Sequence, residues 1–388
     1  TEKKTEETIS VAGRIMSLRR MGKASFAHIK DGTGKLQIYI REDVLGERNY
    51  QLFRKFDIGD FVGVTGKVFF TKTGELSIQV EDLTLLAKSL RPLPEKWHGL
   101  KDVETRYRQR YLDLVVSEQV RDVFTTRSLI IKAIRKYLDN LGFLEVETPM
   151  MQSIVGGAAA RPFLTYHQAL DMELYLRISP ELFLKRLVVG GLEKVYEVNR
   201  NFRNEGISTR HNPEFTMLEV YQAYSDYNGM MDLCEKMVLF IAQEVLGKED
   251  FVYQNSEIRL GKAPWQRFPL YSLLKKHTGL DFANIRSLDE LRKTADRLNV
   301  KYEKDTPKQK ILDHIFEDYV QKKLIQPTFV IDYPTEFSPL AKTKRENPEL
   351  VERFELFIGG EELANAYSEL NDPLEQRQRM EARAKERE

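Results

Sequence analysis

Two hydrophobic rhythms divide the chain. From residue 8 to about 86, apolar and polar residues alternate in the short runs ISVAGRIMSL, ASFAHIK, KLQIYI, DFVGVTGKVFF and ELSIQVEDLTLL, the period of half-buried strands. RRMGK, DGTG and TKTGE separate them, with glycine where a tight reversal needs positive φ. A helical patch near Tyr50 to Phe56 falls between the third and fourth runs. Five strands with a helix after the third is the order of an OB-fold barrel, a common binder of single-stranded nucleic acid, although a generic small barrel fits the same pattern. Ala87 to Leu100, AKSLRPLPEKWHGL, reads as a linker because Pro92 and Pro94 block regular structure.

Beyond the linker the period becomes helical. VETRYRQRYLDLVV and VRDVFTTRSLIIKAIRKYLDNLG predict two helices, the second closed by Gly142, and FLEVETPMM predicts a strand halted by Pro149. SIVGGAAARPF has no period and many small residues, so it reads as a loop in which backbone can approach a ligand. MELYLRIS predicts a strand ending at Ser179, a helix cap, with Pro180 at the first helical position and Gly190 as a stop; Glu181 then lies in the first turn. An amphipathic helix follows from Tyr227 to Gly247, with Met231, Cys234, Val238 and Ile241 on its apolar side. Residues 248–326 predict a helical insertion without chemistry, with charged helices at Leu288 to Leu298 and Gln309 to Lys323. In VERFELFIGGEELANAYSELNDP two strands flank a Gly359-Gly360 turn. If Ile358 pairs with Glu361, Phe357 opposes Glu362 and Glu355 lies diagonal to it, so two carboxylates repel unless a cation lies between them; two solvated edge glutamates are the alternative.

The richest stretch is Val195 to Tyr224. As two strands it sorts by pleat: Glu197, Asn199, Asn201, Arg203 and Glu205 share one face of the first, and Phe215, Met217, Glu219 and Tyr221 one face of the second. The link from Gly206 to Pro213 carries Arg210 and His211. A planar cation, carboxylates and a stackable ring together suit a nucleotide better than they suit a solvated hairpin edge.

Bulk properties narrow the picture. The 388 residues allow two or three domains, and 60 basic against 59 acidic residues leave nucleic-acid binding to local patches. The single cysteine, Cys234, reads as a core residue. No stretch approaches the roughly 18 apolar residues of a membrane span, and the expected location is cytoplasmic.

FRNEGISTRHNPEF, followed by Glu219, resembles motif 2 of the class II aminoacyl-tRNA synthetases, and with GGAAARPF before it and ANAYSELNDP after it the text resembles the bacterial lysyl-tRNA synthetase family of class IIb. The resemblance implies an α+β protein. It has an OB-fold anticodon-binding domain over 1–86, a linker over 87–101, and a class II catalytic domain of antiparallel sheet and helices over 102–388. Gly142 to Met151 resembles motif 1, which implies a homodimer. The implied reaction ligates L-lysine to tRNA through a lysyl-adenylate formed from ATP.

By the same resemblance, Arg203 bridges the substrate carboxylate and the α-phosphate, Glu205 accepts from adenine, Phe215 stacks on it, and Arg210 and His211 lie toward the outer phosphates. Gly157, Glu181, Glu219, Tyr221, Asn365, Tyr367 and Glu369 are implied to bind lysine, with Glu181 on the α-amino group, although a helix-dipole preference also accounts for that glutamate. Tyr367 stands where many relatives have phenylalanine. Glu355 and Glu362 are implied to hold Mg²⁺. In the first domain, Phe26 and Gln37 match a stacking aromatic and a uracil-reading glutamine, Arg19 fits their arginine partner with Arg20 adjacent, and His28 shares their face; Phe26 as a core residue is the alternative.

The acidic pocket suits a cationic side chain and argues against an aspartyl or asparaginyl enzyme. The family's motif 3, whose arginine clamps ATP, is missing after SELNDP, so the sequence is expected to be a portion of a longer protein. A non-catalytic tRNA-binding or regulatory relative is the second reading.

Overall fold

The computed structural model describes residues 4–93, 100, 102–158, 160–208 and 211–385. The chain divides into two compact units, Thr1–Thr125 and Thr126–Glu388.

In the first unit the alternating runs form β1 (Lys4–Met21), β2 (Ala24–Lys30), β3 (Lys35–Arg41), β4 (Phe61–Phe70) and β5 (Leu76–Ala87), with α1 (Glu42–Leu45) and α2 (Glu47–Phe53) after the third strand. They close as a barrel in the order β1-β2-β3-β5-β4. The pleat fixes the inside: Ile15, Ile38, Ile40, Val62, Ile78 and Val80 are fully buried, and Tyr50, Phe53 and Phe56 plug the barrel beside them. Each ring removed from water contributes about 1.5–3 kcal/mol. A Cβ at Gly66 would lie 2.0 Å from the Gln79 carbonyl oxygen, so β4 and β5 cross closely only because that position is glycine. Then come α3 (Val103–Arg108) and α4 (Arg110–Val116), the first capped by Asp102, whose carboxylate accepts from the Thr105 amide at 2.7 Å. α5 (Glu118–Asn140) ends before Gly142, which takes the left-handed φ of 77° that terminates it.

The second unit continues with β6 (Leu144–Glu145), β7 (Met151–Gln152), β8 (Phe163–His167), β9 (Met172–Leu176), α6 (Glu181–Val189), β10 (Lys194–Phe202), β11 (Glu214–Gln222) and α7 (Tyr227–Leu246). Next are β12 (Asp250–Tyr253), β13 (Ser256–Arg259), β14 (Gln266–Pro269), α8 (Leu270–Thr278), α9 (Leu288–Arg297) and α10 (Lys308–Tyr319). The last elements are β15 (Thr328–Pro334), β16 (Leu350–Ile358), β17 (Glu361–Tyr367) and α11 (Pro373–Lys385). Its sheets run β11-β10-β6, β7-β9-β8, β12-β13 and β14-β15-β16-β17. The α+β expectation, a barrel followed by sheets and helices, is met.

Three local expectations fail. FLEVETPMM is two short strands, because the Thr148 amide turns away to a carboxylate at 3.2 Å and Pro149 has no amide to give. Ser179 does accept from the Glu181 amide at 3.1 Å, but Pro180 precedes the helix instead of opening it. Residues 248–326 carry β12, β13 and β14 besides their helices, and β14 pairs parallel with β15, Gln266 opposite Thr328. Leu274 of α8 and Ile311 and Ile315 of α10 share one buried cluster with Val330 and Phe357, so this segment is part of the core around β15 and β16.

Candidate active site

The β10–β11 hairpin has the register its pleat requires: Glu197 opposes Glu219, Asn199 opposes Met217 and Asn201 opposes Phe215. The expected polar face is nonetheless two different things. Glu197 does not line a pocket. It is 1% exposed, its Oε1 lies 2.8 Å from Nη1 of the equally buried Arg177, and it also accepts from the Thr148 hydroxyl at 2.7 Å and the Asn199 amide at 3.1 Å. Nη1 of Arg177 further donates to the Thr148 carbonyl and its Nε to the Arg200 carbonyl, so this pair fastens β10 to the turn after β6. Removing one member of such a pair costs about 3–5 kcal/mol.

Nor do Arg203 and Glu205 lie on the strand, which ends at Phe202. The Arg203 amide donates to the Pro213 carbonyl at 2.8 Å, and its guanidinium carbon sits 5.2 Å from the centroid of the Phe215 ring. Phe215 and Arg203 are thus together, whereas Glu205 and His211 are exposed, His211 with Nδ1 2.9 Å from the Ser208 hydroxyl. Arg210 lies outside the described residues.

The lysine set converges from four elements. Gly157 has φ 85°, and a Cβ there would meet the Glu181 Cβ at 2.9 Å and the Ser179 Oγ at 2.9 Å, so the loop presses against the start of α6. The Ser179 hydroxyl donates to Glu219 Oε1 at 2.7 Å and the Tyr221 hydroxyl to Oε2 at 2.9 Å. Burial pushes the Glu219 and Glu369 carboxyls above the usual range, more than the hydroxyls on the first and Lys185 on the second pull them down. Tyr367 donates to Glu181 Oε1 at 3.3 Å, which gives its hydroxyl a use. Lys185, absent from the sequence-derived set although it lies one helical turn after Glu181, reaches Glu181 at 2.7 Å and Glu369 at 2.8 Å.

On the neighbouring strands Ile358 opposes Glu361 and Phe357 opposes Glu362, as the turn predicted, but a bulge between Leu356 and Phe357 brings Glu355 opposite Asn365. Arg353 holds Glu355 at 2.5 Å, and the Asn365 amide reaches the same oxygen at 3.4 Å. Burial and the Glu355 charge push the Glu362 carboxyl up to about 7. Asp313 of α10, exposed at the surface, is raised as well, by partial desolvation and the same Glu355 charge, so the segment read as free of chemistry places a carboxylate near this edge.

Within the barrel unit, Phe26 alternates with the buried Ser25 and Ala27 and stays outside the core, stacked on Tyr39 with ring centroids 4.5 Å apart. Arg19 lies directly opposite Phe26 and is exposed, while Arg20 is tied to the Phe56 carbonyl at 2.6 Å. His28 opposes Gln37 and bridges Ser17 at 2.8 Å and Glu75 at 2.7 Å. Gln37 is nearly buried and donates to the Ser77 hydroxyl at 2.8 Å. Tyr39 and Glu75 were not singled out by the sequence, although the strand period places Tyr39 beside Phe26.

Residues 102–388 match the family model of class II tRNA synthetases (D, K and N), and residues 9–86 match the OB-fold nucleic acid binding domain. The chain belongs to the class II tRNA synthetases. The synthetase is 60% identical to the lysine–tRNA ligase of Pelotomaculum thermopropionicum over 96% of this chain and 74% of that protein. It is 58% identical to that of Carboxydothermus hydrogenoformans over 99% of this chain and 79% of that protein. With that of Bacillus cereus it shares 57% identity over 99% of this chain and 77% of that protein. Among the described residues of the synthetase no helix is long and apolar enough to cross a membrane.

Proposed function

We propose that this synthetase activates L-lysine with ATP, releasing pyrophosphate, and transfers the lysyl group from the adenylate to the terminal ribose of tRNA. The observation that carries this is the wall of Glu181, Glu219 and Glu369 in a chain 60% identical to a lysine–tRNA ligase. An ammonium loses its water on entering and needs compensating charge, and Glu219, oriented by two hydroxyl donors, offers it. Glu181 takes the α-amino group, Gly157 closes against it, and Tyr221, Asn365 and Tyr367 line the wall. The side chain of an aspartyl or asparaginyl substrate would meet Glu219 and Glu369 where it needs a cation or an amide partner.

Adenylate formation needs no covalent enzyme group, so orientation and charge carry the rate. Arg203, beside the Phe215 ring, binds the substrate carboxylate and the α-phosphate together while Phe215 stacks on adenine. Glu205 takes the adenine amino group, and Arg210 and His211 steer the outer phosphates. Glu355 and Glu362 suit Mg²⁺: both are hard oxygen donors, and Glu362, unlike Glu355, is pushed up to about 7 by burial and the Glu355 charge. When bound, Mg²⁺ neutralises phosphate oxygens. In the barrel unit, Phe26 supports an unstacked anticodon base, with Gln37, Arg19 and His28 around it. A cytoplasmic homodimer completes the proposal, supported by Leu144 and Met151 within the stretch resembling motif 1 and by Ile154, Leu164 and Tyr166 after it, each more than half exposed.

Lysine-dependent ATP–pyrophosphate exchange by the full protein tests this reading. Exchange with lysine and none with aspartate or asparagine is expected; tRNA binding without exchange would establish a non-catalytic relative instead. Phe26→Ala is expected to raise the KM for tRNA about tenfold and leave exchange unchanged, as the loss of one base stack requires.

A further inference from the structure

Lys185 reaches two of the three carboxylates of the wall. It lies one turn after Glu181 on α6, with Nζ 2.7 Å from Glu181 Oε1 and 2.8 Å from Glu369 Oε2. The same Nζ is 5.8 Å from the centroid of the Tyr367 ring, whose hydroxyl donates to Glu181. Burial would lower the Lys185 ammonium, but the charges of Glu369 and Glu181 more than offset it and keep it protonated. The contact is therefore built from α6, β17 and the residues just after β17, with the ammonium held on two sides.

The charge count gives the contact its meaning. Three carboxylates, Glu181, Glu219 and Glu369, act on one another across this wall. Free lysine brings two ammonium groups, and its own carboxylate belongs with Arg203. Two cations against three anions would leave one carboxylate of the wall without a partner, a cost that falls on the buried Glu181 more than on Glu369, whose side chain is 42% exposed. We infer that Lys185 is a positioning residue that supplies the third cation: it holds Glu181 and Glu369 in place and sets the wall's charge to match an amino acid carrying two ammonium groups. This inference rests on the lysine-activating reading of the wall. An amino acid with a neutral side chain brings one ammonium and leaves a carboxylate uncompensated, so the device also works as a filter.

The test is lysine-dependent ATP–pyrophosphate exchange with the full protein carrying Lys185→Met. The KM for lysine is expected to rise about tenfold or more, with the KM for ATP and kcat within about twofold, because the loss is of ground-state charge balance. Lys185→Arg keeps the cation and is expected to hold the KM for lysine within about twofold, a rescue that a side chain acting only by packing would not give. A KM for lysine that stays level or falls in Lys185→Met, or that rises as much in Lys185→Arg, would overturn the inference. Should the methionine variant fail to fold, Lys185→Gln and Lys185→Arg serve, the first expected to lose lysine affinity and the second to keep it; equal KM values in both overturn it. Failure of the underlying reading is separate: the unsubstituted protein would then show no lysine-dependent exchange at all.

Discussion

The two acidic clusters of the second unit are built from the same side chain and prepared in opposite ways. In the wall, Glu219 accepts two hydroxyl hydrogen bonds and Glu181 and Glu369 share Lys185, so each carboxylate has a donor before any ligand arrives. At the edge of β16 and β17, Arg353 satisfies Glu355, while Glu362 is pushed up to about 7. Acids that receive an organic ammonium gain from being oriented in advance, since direction as well as charge selects the substrate. Under the proposed Mg²⁺ role, the edge would gain from leaving Glu362 without the full compensation that Arg353 gives Glu355. Glu197 shows a third arrangement: paired with Arg177 and sealed from solvent, it fastens β10 to the turn after β6.

The largest expected effect breaks the wall alone. Glu219→Gln is expected to lower kcat/KM for lysine about 100-fold, the scale for truncating one member of a buried charged pair, with the KM for ATP within about twofold in steady-state exchange assays. Equal losses for lysine and ATP would erase the distinction between the clusters. A smaller effect breaks the edge: Glu362→Gln is expected to raise the half-saturating Mg²⁺ concentration about tenfold at fixed ATP while the KM for lysine stays within about twofold.

The smallest effect is on stability and distinguishes binding from holding. The folded Glu219 carboxyl binds its proton more tightly than the unfolded one, so its contribution to stability falls as pH rises from about 4.5 through its raised value. Without lysine, Glu219→Gln is therefore expected to gain on the unsubstituted protein in thermal melts as pH rises from 5 to 8. An unchanged difference between the two would mean that the wall is not desolvated.

What could be read from the sequence follows from how far each feature reaches along the chain. The barrel was legible because one alternating face is buried throughout, and the bulky residues that fill it sit at every second position. The hairpin register and the Gly359-Gly360 turn were legible for the same local reason. Arg177 and Glu197 were not, because alternation assigns Glu197 to a face but does not reveal that Thr148 and Arg177 close over that face. β14 escaped notice because four residues ending in proline are too short to show a period, and their ladder partner, β15, lies far along the chain. Lys185 was half legible: its spacing from Glu181 is helical, but its second partner, Glu369, is brought to it by the sheet. The ligand roles came from family resemblance, and the structure adds the hydrogen bonds that orient Glu219, Glu181 and Asn365.

The stacking of Phe26 on Tyr39 has a kinetic consequence. The ring that would accept a base is already immobilised by its neighbour, 20° from parallel, so little rotational freedom remains to be lost when RNA arrives. Under the proposed anticodon-binding role, docking on such a platform is expected to proceed at the pace of encounter. Discrimination between anticodons would then reside in residence time, with matched and mismatched loops arriving alike and the mismatched one leaving sooner.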